Sequence, residues 1–215
     1  LIFVGFGTMN GKDGKPFKTR DGGVLRLEHL LADVTAQVSD KMADRDMDDE
    51  TRADVAAKVA LAAIKYGDLS NQASKDYVFD LDRFTSFEGN TGPYILYTIV
   101  RIKSILSKYE AKGGDISALK DAIMPAVNAG QKNLMLSLAK FNATIESAYE
   151  ESAPHKICAY IYELANAFNG FYHDTKILSE ENEELKKSYI SLLVLTKEIL
   201  EACIDMLGFS APDRM

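Results

Sequence analysis

The sequence predicts a mainly α-helical protein, in which a helical bundle follows a short segment of strand and loop. From residue 29 onward, apolar residues recur at spacings of three and four, as in Leu30, Val34 and Val38, which is the period of a helix. Residues 1–23 instead alternate short apolar pieces with glycine, lysine and aspartate. These patterns divide the chain into a strand and loop at 1–30, a helical connector at 31–90 and the bundle at 91–215.

The first part is predicted to form two strands around a long loop. Residues 1–6 are apolar, with β-branched members and a glycine near the end, and residues 24–27 are the second predicted strand. Because the chain starts at Leu1 with a strand already in progress, we expect that it is cut from a longer protein.

The connector is predicted to contain a helix that has Thr51 as its N-cap and ends at Gly67. Residues 68–92 are rich in aspartate, serine and asparagine and are predicted to be an irregular link to the bundle. The bundle is then predicted to begin with a long helix from Gly92-Pro93 to Gly113, because proline is tolerated in the first turn. The later helices are one capped by Asp115, one carrying Leu134, Leu138, Phe141 and Ile145, one from Pro154 to Gly170, and one from Leu185 to Leu207.

Composition limits the function classes. The chain has 215 residues, of which 47% are hydrophobic and 27% charged, as in soluble globular proteins. No stretch approaches the roughly 20 apolar residues of a membrane helix. Cys158 and Cys203 lack the paired spacing of zinc or redox sites, so we expect reduced thiols in a cytoplasmic protein without a metal site. The net charge of −7 opposes indiscriminate nucleic-acid binding, so any RNA contact must be local.

The loop at residues 11–20 has a composition suited to phosphate. It carries four positive charges and one negative, and its glycines allow the backbone to approach an anion closely. It is not a Walker loop, because the Gly-Lys-Ser or Gly-Lys-Thr ending at the required spacing is absent. By charge alone, a solvated hairpin is the favoured interpretation of the loop.

The amino-acid sequence in and around this loop is a more specific signal of function than the charge of the loop. It includes Gly7-Thr8-Met9, Lys18-Thr19-Arg20 and Gly22-Gly23. It resembles the signature loop of class I aminoacyl-tRNA synthetases in its arginyl form; that loop usually reads Lys-Met-Ser-Lys-Ser and stabilises the pyrophosphate leaving group. If residues 15–19 are aligned directly with this motif, both of its lysines are kept. If the alignment is shifted by one residue, Thr19 takes the place of the second motif lysine. The resemblance therefore implies an ATP-phosphate role for Lys15, Lys18 and Arg20 jointly.

The resemblance to arginyl-tRNA synthetases continues along most of the chain. It is carried by Ala63 to Ser70, by Asp76 to Asp80, by Phe87-Glu88-Gly89-Asn90-Thr91-Gly92-Pro93-Tyr94, by Pro154-His155, by Cys158 to Ala165, by Phe168 to Tyr172, and by the closing Arg214-Met215. It implies that residues 1–30 are the end of the class I catalytic domain and that residues 91–215 are a helical anticodon-binding domain of the DALR type.

The resemblance also implies a tRNA-binding face. Its residues are Tyr94, Tyr97, Arg101, Tyr162 and Met215. Tyr94, Tyr97 and Arg101 can share one side of a helix, although spacing alone favours tyrosines that pack within the bundle. The same two interpretations apply to Tyr160 and Phe168: each ring either packs in the core or provides a surface on which an RNA base stacks. Arg101, Lys103, Lys108 and Lys112 against Glu110 give this helix a local positive charge.

The implied parent enzyme is an arginine–tRNA ligase that uses ATP with magnesium. Its partners are arginine and the tRNA for arginine, and we expect a monomer. The His-Ile-Gly-His-type motif and the arginine pocket of the class are not in this sequence, so this chain alone is expected to be inactive.

Two alternatives are a non-catalytic helical tRNA-binding module and a protein-interaction scaffold. A tRNA-binding module would have no need for residues 5–23, and an interaction scaffold would leave the Gly-Asn-Thr-Gly-Pro motif unexplained.

Overall fold

The computed structural model describes residues 3–16, 26–42, 47–119 and 122–215. In chain order, the elements are β1 (Met9–Asn10), α1 (Leu27–Lys41), α2 (Asp49–Leu69), β2 (Tyr77–Val78), α3 (Leu81–Phe84), α4 (Gly92–Ala111), a 3-10 helix (Ser117–Leu119), α5 (Ala129–Ala139), α6 (Phe141–Glu150), α7 (Pro154–Asp174) and α8 (Glu183–Met206). The predicted mainly helical fold is confirmed. In these described ranges, no helix is long and apolar enough to cross a membrane.

The start of the chain pairs with the connector. β1 runs parallel to β2 with Met9 opposite Tyr77, and the Gly7 N–H donates to the carbonyl of Ala73 at 2.8 Å. The strand predicted at residues 1–6 is wrong for residues 3–6, which form no strand. A strand needs a partner for its N–H and C=O groups, and residues 3–6 have no such partner within the described part of the chain.

The first helix begins where a strand was predicted. Arg26 is its N-cap and Leu27 is its first residue, so the strand at 24–27 is wrong for these two positions, while residues 24 and 25 lie outside the described ranges. The three-and-four apolar period is confirmed, because it places one side of α1 against α2. The buried residues of that side are Leu30, Val34 and Val38.

Helix α2 differs from its prediction at both ends. Its N-cap is Asp48, whose carboxylate accepts from the Thr51 N–H at 2.8 Å, so Thr51 is not the cap. The helix continues past Gly67 to Leu69. A Cβ at residue 67 would lie 2.4 Å from the ring of Phe84, so this glycine makes room for α3 instead of ending the helix.

Helix α4 begins as predicted at Gly92, with Pro93 in its first turn. The Thr91 hydroxyl accepts from the Tyr94 N–H at 3.2 Å and caps the helix. A Cβ on Gly92 would lie 2.3 Å from the carbonyl oxygen of Ala62, so α4 starts against the backbone of α2. This contact fixes the direction in which α4 leaves the connector.

The remaining helices form the bundle, with three corrections. Helix α7 begins at Pro154 as predicted but continues past Gly170 to Asp174. Asp115 accepts from the Ser117 N–H at 2.9 Å, but only a short 3-10 helix follows it. The helix predicted from Leu134 to Ile145 is two helices, α5 and α6, which meet at Lys140. Helix α7 packs against α4, α5, α6 and α8 and is therefore the centre of the bundle. The proposed domain boundaries at residues 30 and 90 stay predictions.

A buried tyrosine joins the connector to the bundle. The Tyr66 hydroxyl on α2 lies 2.6 Å from the amide oxygen of Asn90 and 2.8 Å from the carbonyl oxygen of Cys158. Burial raises the pKa of Tyr66 far above its usual range, so the hydroxyl stays protonated. Helices α2 and α7 and the turn before α4 thus share one hydrogen-bonded point.

Candidate nucleic-acid interface

Helices α4 and α7 bring the predicted tyrosines together. The ring centres of Tyr94 on α4 and Tyr162 on α7 lie 5.7 Å apart, with an edge-to-face angle of 60° between the rings. Both side chains are half-buried, whereas Tyr97, three residues after Tyr94, is 37% exposed. We call the group that meets here the aromatic face; its members are Tyr94, Tyr97, Arg101, Tyr162, Asn169 and Tyr172.

Arg101 lies between two exposed rings of this face. Its guanidinium carbon is 4.7 Å from the ring centre of Tyr97 and 5.4 Å from that of Tyr172, within cation–π range. Its Nη1 donates to the Asn169 side-chain oxygen at 2.7 Å. A guanidinium has five N–H donors, so most of its donors stay available for an anion or a base.

Asn169 fixes the orientation of both sides of the aromatic face. Its amide oxygen accepts from Arg101, while its amide nitrogen donates to the Tyr94 hydroxyl at 2.9 Å. The Tyr94 hydroxyl in turn donates to the Asn166 side-chain oxygen at 2.7 Å. Polar side chains of α4 and α7 are therefore joined in one chain of hydrogen bonds at the protein surface.

The other aromatic candidates on α7 belong to the core. Tyr160 is 5% exposed and its ring lies 6.3 Å from that of Phe141, and Phe168 is fully buried. Tyr162 is two residues after Tyr160, which places the two rings on opposite sides of the helix. Of these three residues, only Tyr162 is a member of the aromatic face, and the buried Phe168 supports it from the core by stacking on Tyr172 at 5.9 Å.

A cavity of about 410 Å³ opens beside Tyr97 and has Met215 in its lining. We call it the Met215 cavity; it is lined by Lys41, Met42, Phe87, Glu88, Tyr97 and Met215. Tyr97 lines this cavity, and its ring lies 4.7 Å from the guanidinium carbon of Arg101, so the cavity adjoins the aromatic face. Met215, predicted from the closing Arg-Met, therefore lies beside the other predicted residues.

The basic residues of α4 do not all point the same way. Lys108 and Lys112 follow Arg101 by seven and eleven residues, which places them on its side of the helix, and both are exposed. Lys103 instead makes ion pairs with Asp213 at 3.1 Å and Glu201 at 3.3 Å. The positive groups on the side of the aromatic face are therefore Arg101, Lys108 and Lys112, without Lys103.

The described part of the loop at the start of the chain, residues 11–16, forms a tight turn. The Gly11 N–H donates to the Lys15 carbonyl at 2.9 Å, and Lys15 itself is exposed. Lys12 is bound to the connector, 2.8 Å from Asp82 and 3.2 Å from Asp80, and these hydrogen bonds raise its pKa.

Lys15 makes no ion pair with any other described residue, so its ammonium group is available to an anion. The other two predicted phosphate ligands, Lys18 and Arg20, lie outside the described ranges. In the part of the chain that the structure describes, no group of three His, Cys, Asp or Glu side chains is arranged to hold a metal ion.

Two family models match the chain. The model described as "tRNA synthetases class I (R), catalytic domain" matches residues 1–81. The model described as "DALR anticodon binding domain" matches residues 95–215, which is more than half of the chain. This chain belongs to the DALR anticodon binding domain family. Its aromatic face lies almost entirely within the matched DALR region.

Known proteins agree with the DALR assignment. An arginine–tRNA ligase of Agathobacter rectalis is 84% identical over the whole chain, which spans 37% of that protein. One of Alkaliphilus oremlandii is 55% identical, again over the whole chain and 36% of its own length. The solved arginyl-tRNA synthetase of Thermus thermophilus superposes with a TM-score of 0.82 at 26% identity, covering 98% of this chain and 35% of that one. The chain therefore spans little more than a third of these relatives.

Sequence reasoning missed two members of the DALR domain's aromatic face and their neighbour. Asn169 and Tyr172 lie in a segment that carries the family resemblance, but the sequence alone assigns no role to them or to Asn166. A signal was present, because residues four and seven positions after Tyr162 share its side of a helix. Those residues are Asn166 and Asn169, the two amides that bond Tyr94.

Proposed function

We propose that this chain is the anticodon-binding part, with the end of the catalytic domain, of an arginine–tRNA ligase. The whole protein would join arginine to its tRNA with the use of ATP. The observation that carries the proposal is the aromatic face, where exposed rings and an oriented guanidinium meet within a DALR domain. A cytoplasmic, monomeric protein is part of the same proposal.

The aromatic face has the chemistry that unpaired RNA bases require. Bases of a single-stranded loop are held by stacking on aromatic rings, at about 1–3 kcal/mol per base, and by arginine contacts. Tyr97 is 37% exposed, so its ring can accept a partner, whereas Tyr172, 41% exposed, already stacks on Phe168 and offers only the remainder of its ring. A paired stem offers no such bases, which favours the anticodon loop as the ligand.

Phosphate contacts come from the same side of α4. The net charge of −7 repels RNA at long range, so binding depends on local positive groups. Arg101, Lys108 and Lys112 form a line along this side of the helix and lead away from the rings. In our proposal, the phosphates of the anticodon stem follow this line while the loop bases meet the aromatic face.

The Met215 cavity is the proposed place for one base of the loop. Apolar groups of Phe87, Tyr97 and Met215 can cover the faces of a base, while Lys41 and Glu88 supply one donor group and one acceptor group. The Lys41 ammonium already donates to the Thr85 hydroxyl at 3.1 Å, which holds it at the cavity wall. This arrangement supports base selection by the cavity and affinity from the surrounding surface.

The loop at residues 11–20 is the proposed contact with the ATP phosphates. Lys15, Lys18 and Arg20 would neutralise charge that develops when arginine is activated, with magnesium bound alongside the nucleotide. Lys12 has the different task of holding the loop on the connector through Asp80 and Asp82. The sequence contains no His-Ile-Gly-His-type motif, so we propose no arginine activation by these 215 residues alone.

Two measurements test the proposal. The 215-residue chain is titrated with arginine tRNA and with a tRNA for another amino acid, at about 50 and about 200 mM salt. We expect tighter binding of the arginine tRNA at both concentrations and weaker binding of both tRNAs at the higher one. Arginine-dependent pyrophosphate exchange is expected to be absent. Equal affinities for the two tRNAs would contradict the proposed recognition of arginine tRNA. Measurable exchange would contradict the proposal that these 215 residues do not activate arginine.

A further inference from the structure

We infer that Lys103 is a positioning residue, which holds residues 208–215 against α4 and thereby places Met215 beside Tyr97. Its role in RNA recognition rests on the proposed function, whereas its role in placing the segment does not. Lys103 lies two residues after Arg101, about 200° around the helix, and so faces away from the aromatic face.

The side chain of Lys103 is surrounded by oxygen atoms of α8 and the following segment. Its ammonium nitrogen lies 3.1 Å from an Asp213 carboxylate oxygen, 3.3 Å from the Pro212 carbonyl oxygen and 3.3 Å from a Glu201 carboxylate oxygen. The side chain is 22% exposed, so these bonds are partly shielded from solvent. The Lys103 ammonium group therefore bonds both α8, through Glu201, and Asp213, which lies two residues before Met215.

Residues of the segment before and after the Lys103 contact also pack or bond against the rest of the protein. Gly208, with φ at +80°, turns the chain after α8, and Phe209 is 4% exposed. After Asp213, Arg214 lies 3.2 Å from Asp48, the N-cap of α2. The segment is thus fixed at α8, α4 and α2, and Met215 lines the same cavity as Tyr97.

Loss of the Lys103 charge has a specific consequence. The carboxylates of Glu201 and Asp213 would lose their shared partner, and Met215 would lose its fixed place. A base in the cavity would then lose one wall, so selection between anticodons would fall. The charge on the aromatic side would not change, so the salt dependence of binding should stay as it is.

The experiment uses Lys103→Gln, Lys103→Arg and the matched control Lys108→Gln on the same helix. The chain carries ¹³C-methyl methionine, and the Met215 signal is assigned with Met215→Leu. Lys103→Gln should move that signal toward the position of a free methionine, while Lys103→Arg and Lys108→Gln should leave it in place. Circular dichroism checks that each variant is folded.

Each variant is then titrated with the anticodon stem-loop of arginine tRNA and of another tRNA at two salt concentrations. Lys103→Gln should lower the ratio of the two affinities by about five- to tenfold, with an unchanged salt slope. Lys108→Gln should instead lower the salt slope by about one unit and keep the ratio. An unmoved Met215 signal in Lys103→Gln overturns the inference, as does a salt slope that falls as in Lys108→Gln. If the signal moves but the unsubstituted chain binds neither stem-loop, the positioning role stands and the proposed function fails.

Discussion

Arg101 lies 4.7 Å above the ring centre of Tyr97, one helical turn earlier on α4. This pair connects the two parts of the candidate interface, because Tyr97 also lines the Met215 cavity. The rigid, planar guanidinium can stack on a ring and bond a phosphate at the same time, which a lysine ammonium cannot do. One arginine can therefore contribute both to affinity and to the placement of a base.

Replacement of Arg101 separates these two contributions. Arg101→Ala should weaken the binding of every tRNA and reduce the salt slope by about one unit, because one phosphate contact is lost. Arg101→Lys should keep the slope but lose part of the preference for arginine tRNA, since the stack on Tyr97 is lost. Titrations with two tRNAs at two salt concentrations measure both effects. An unchanged slope in Arg101→Ala would remove Arg101 from the interface.

Tyr162 tests the role of the rings. Tyr162→Ala should reduce discrimination between cognate and non-cognate anticodons, because Tyr94 loses the ring that packs edge-on against it at 5.7 Å. Tyr162→Phe is the matched control, because it keeps this ring contact. Competition binding with the two anticodon stem-loops gives the comparison. If alanine and phenylalanine have the same effect, the ring is not what matters.

Two glycines of the bundle should respond in opposite directions to alanine. Gly92→Ala would place a Cβ 2.3 Å from the Ala62 carbonyl oxygen, and the resulting displacement of α4 should lower the free energy of unfolding by about 1–3 kcal/mol. Gly170→Ala on α7 meets nothing within 4 Å and should raise it by about 0.5–1 kcal/mol. Urea unfolding measures both. A neutral Gly92→Ala would contradict the close approach of α4 to α2.

The two cysteines predict a loss of stability at alkaline pH. Burial raises the pKa of Cys158 and of Cys203 to about 12, whereas an unfolded thiol titrates near about 8.5. A raised pKa stabilises the fold fully below the unfolded value, and this contribution falls as the pH rises toward 12. The slope is at most about 1.4 kcal/mol per pH unit for each thiol.

Urea unfolding at pH 7.5 and at pH 9.5, with reductant present, checks this expectation. The free energy of unfolding should be lower at the higher pH, and the difference should shrink in a variant with alanine at both cysteines. A thiol reagent at pH 8 should react slowly with the native chain and rapidly with the unfolded one. Equal rates would contradict the burial of the thiols.

The sequence was sufficient where one physical signal dominated. The apolar period of α1, the proline in the first turn of α4, and the long stripes of α7 and α8 predicted these helices, and the structure confirms them. The family wording predicted Tyr94, Tyr97, Arg101, Tyr162 and Met215, and the structure places these residues along one surface. Their contact with RNA stays a prediction.

Predictions failed where the outcome depends on distant packing. Gly67 looks like a helix end, but it is a contact point for the Phe84 ring, which arrives from seventeen residues later. Lys103 looks like one more basic residue on an RNA-binding helix, but its partners lie about a hundred residues away at Glu201 and Asp213. Neither partner can be read from local spacing, because each depends on how whole helices pack.

Chemical probing of bound arginine tRNA tests the central claim most directly, namely that the surface between α4 and α7 binds the anticodon loop. The tRNA is probed with and without a saturating amount of the 215-residue chain, and also with a Tyr97→Ala variant. We predict that the chain protects bases of the anticodon loop and phosphates of the adjoining stem, and that the variant loses the base protection. Protection confined to the acceptor arm, or base protection that the Tyr97→Ala variant retains, would contradict this claim.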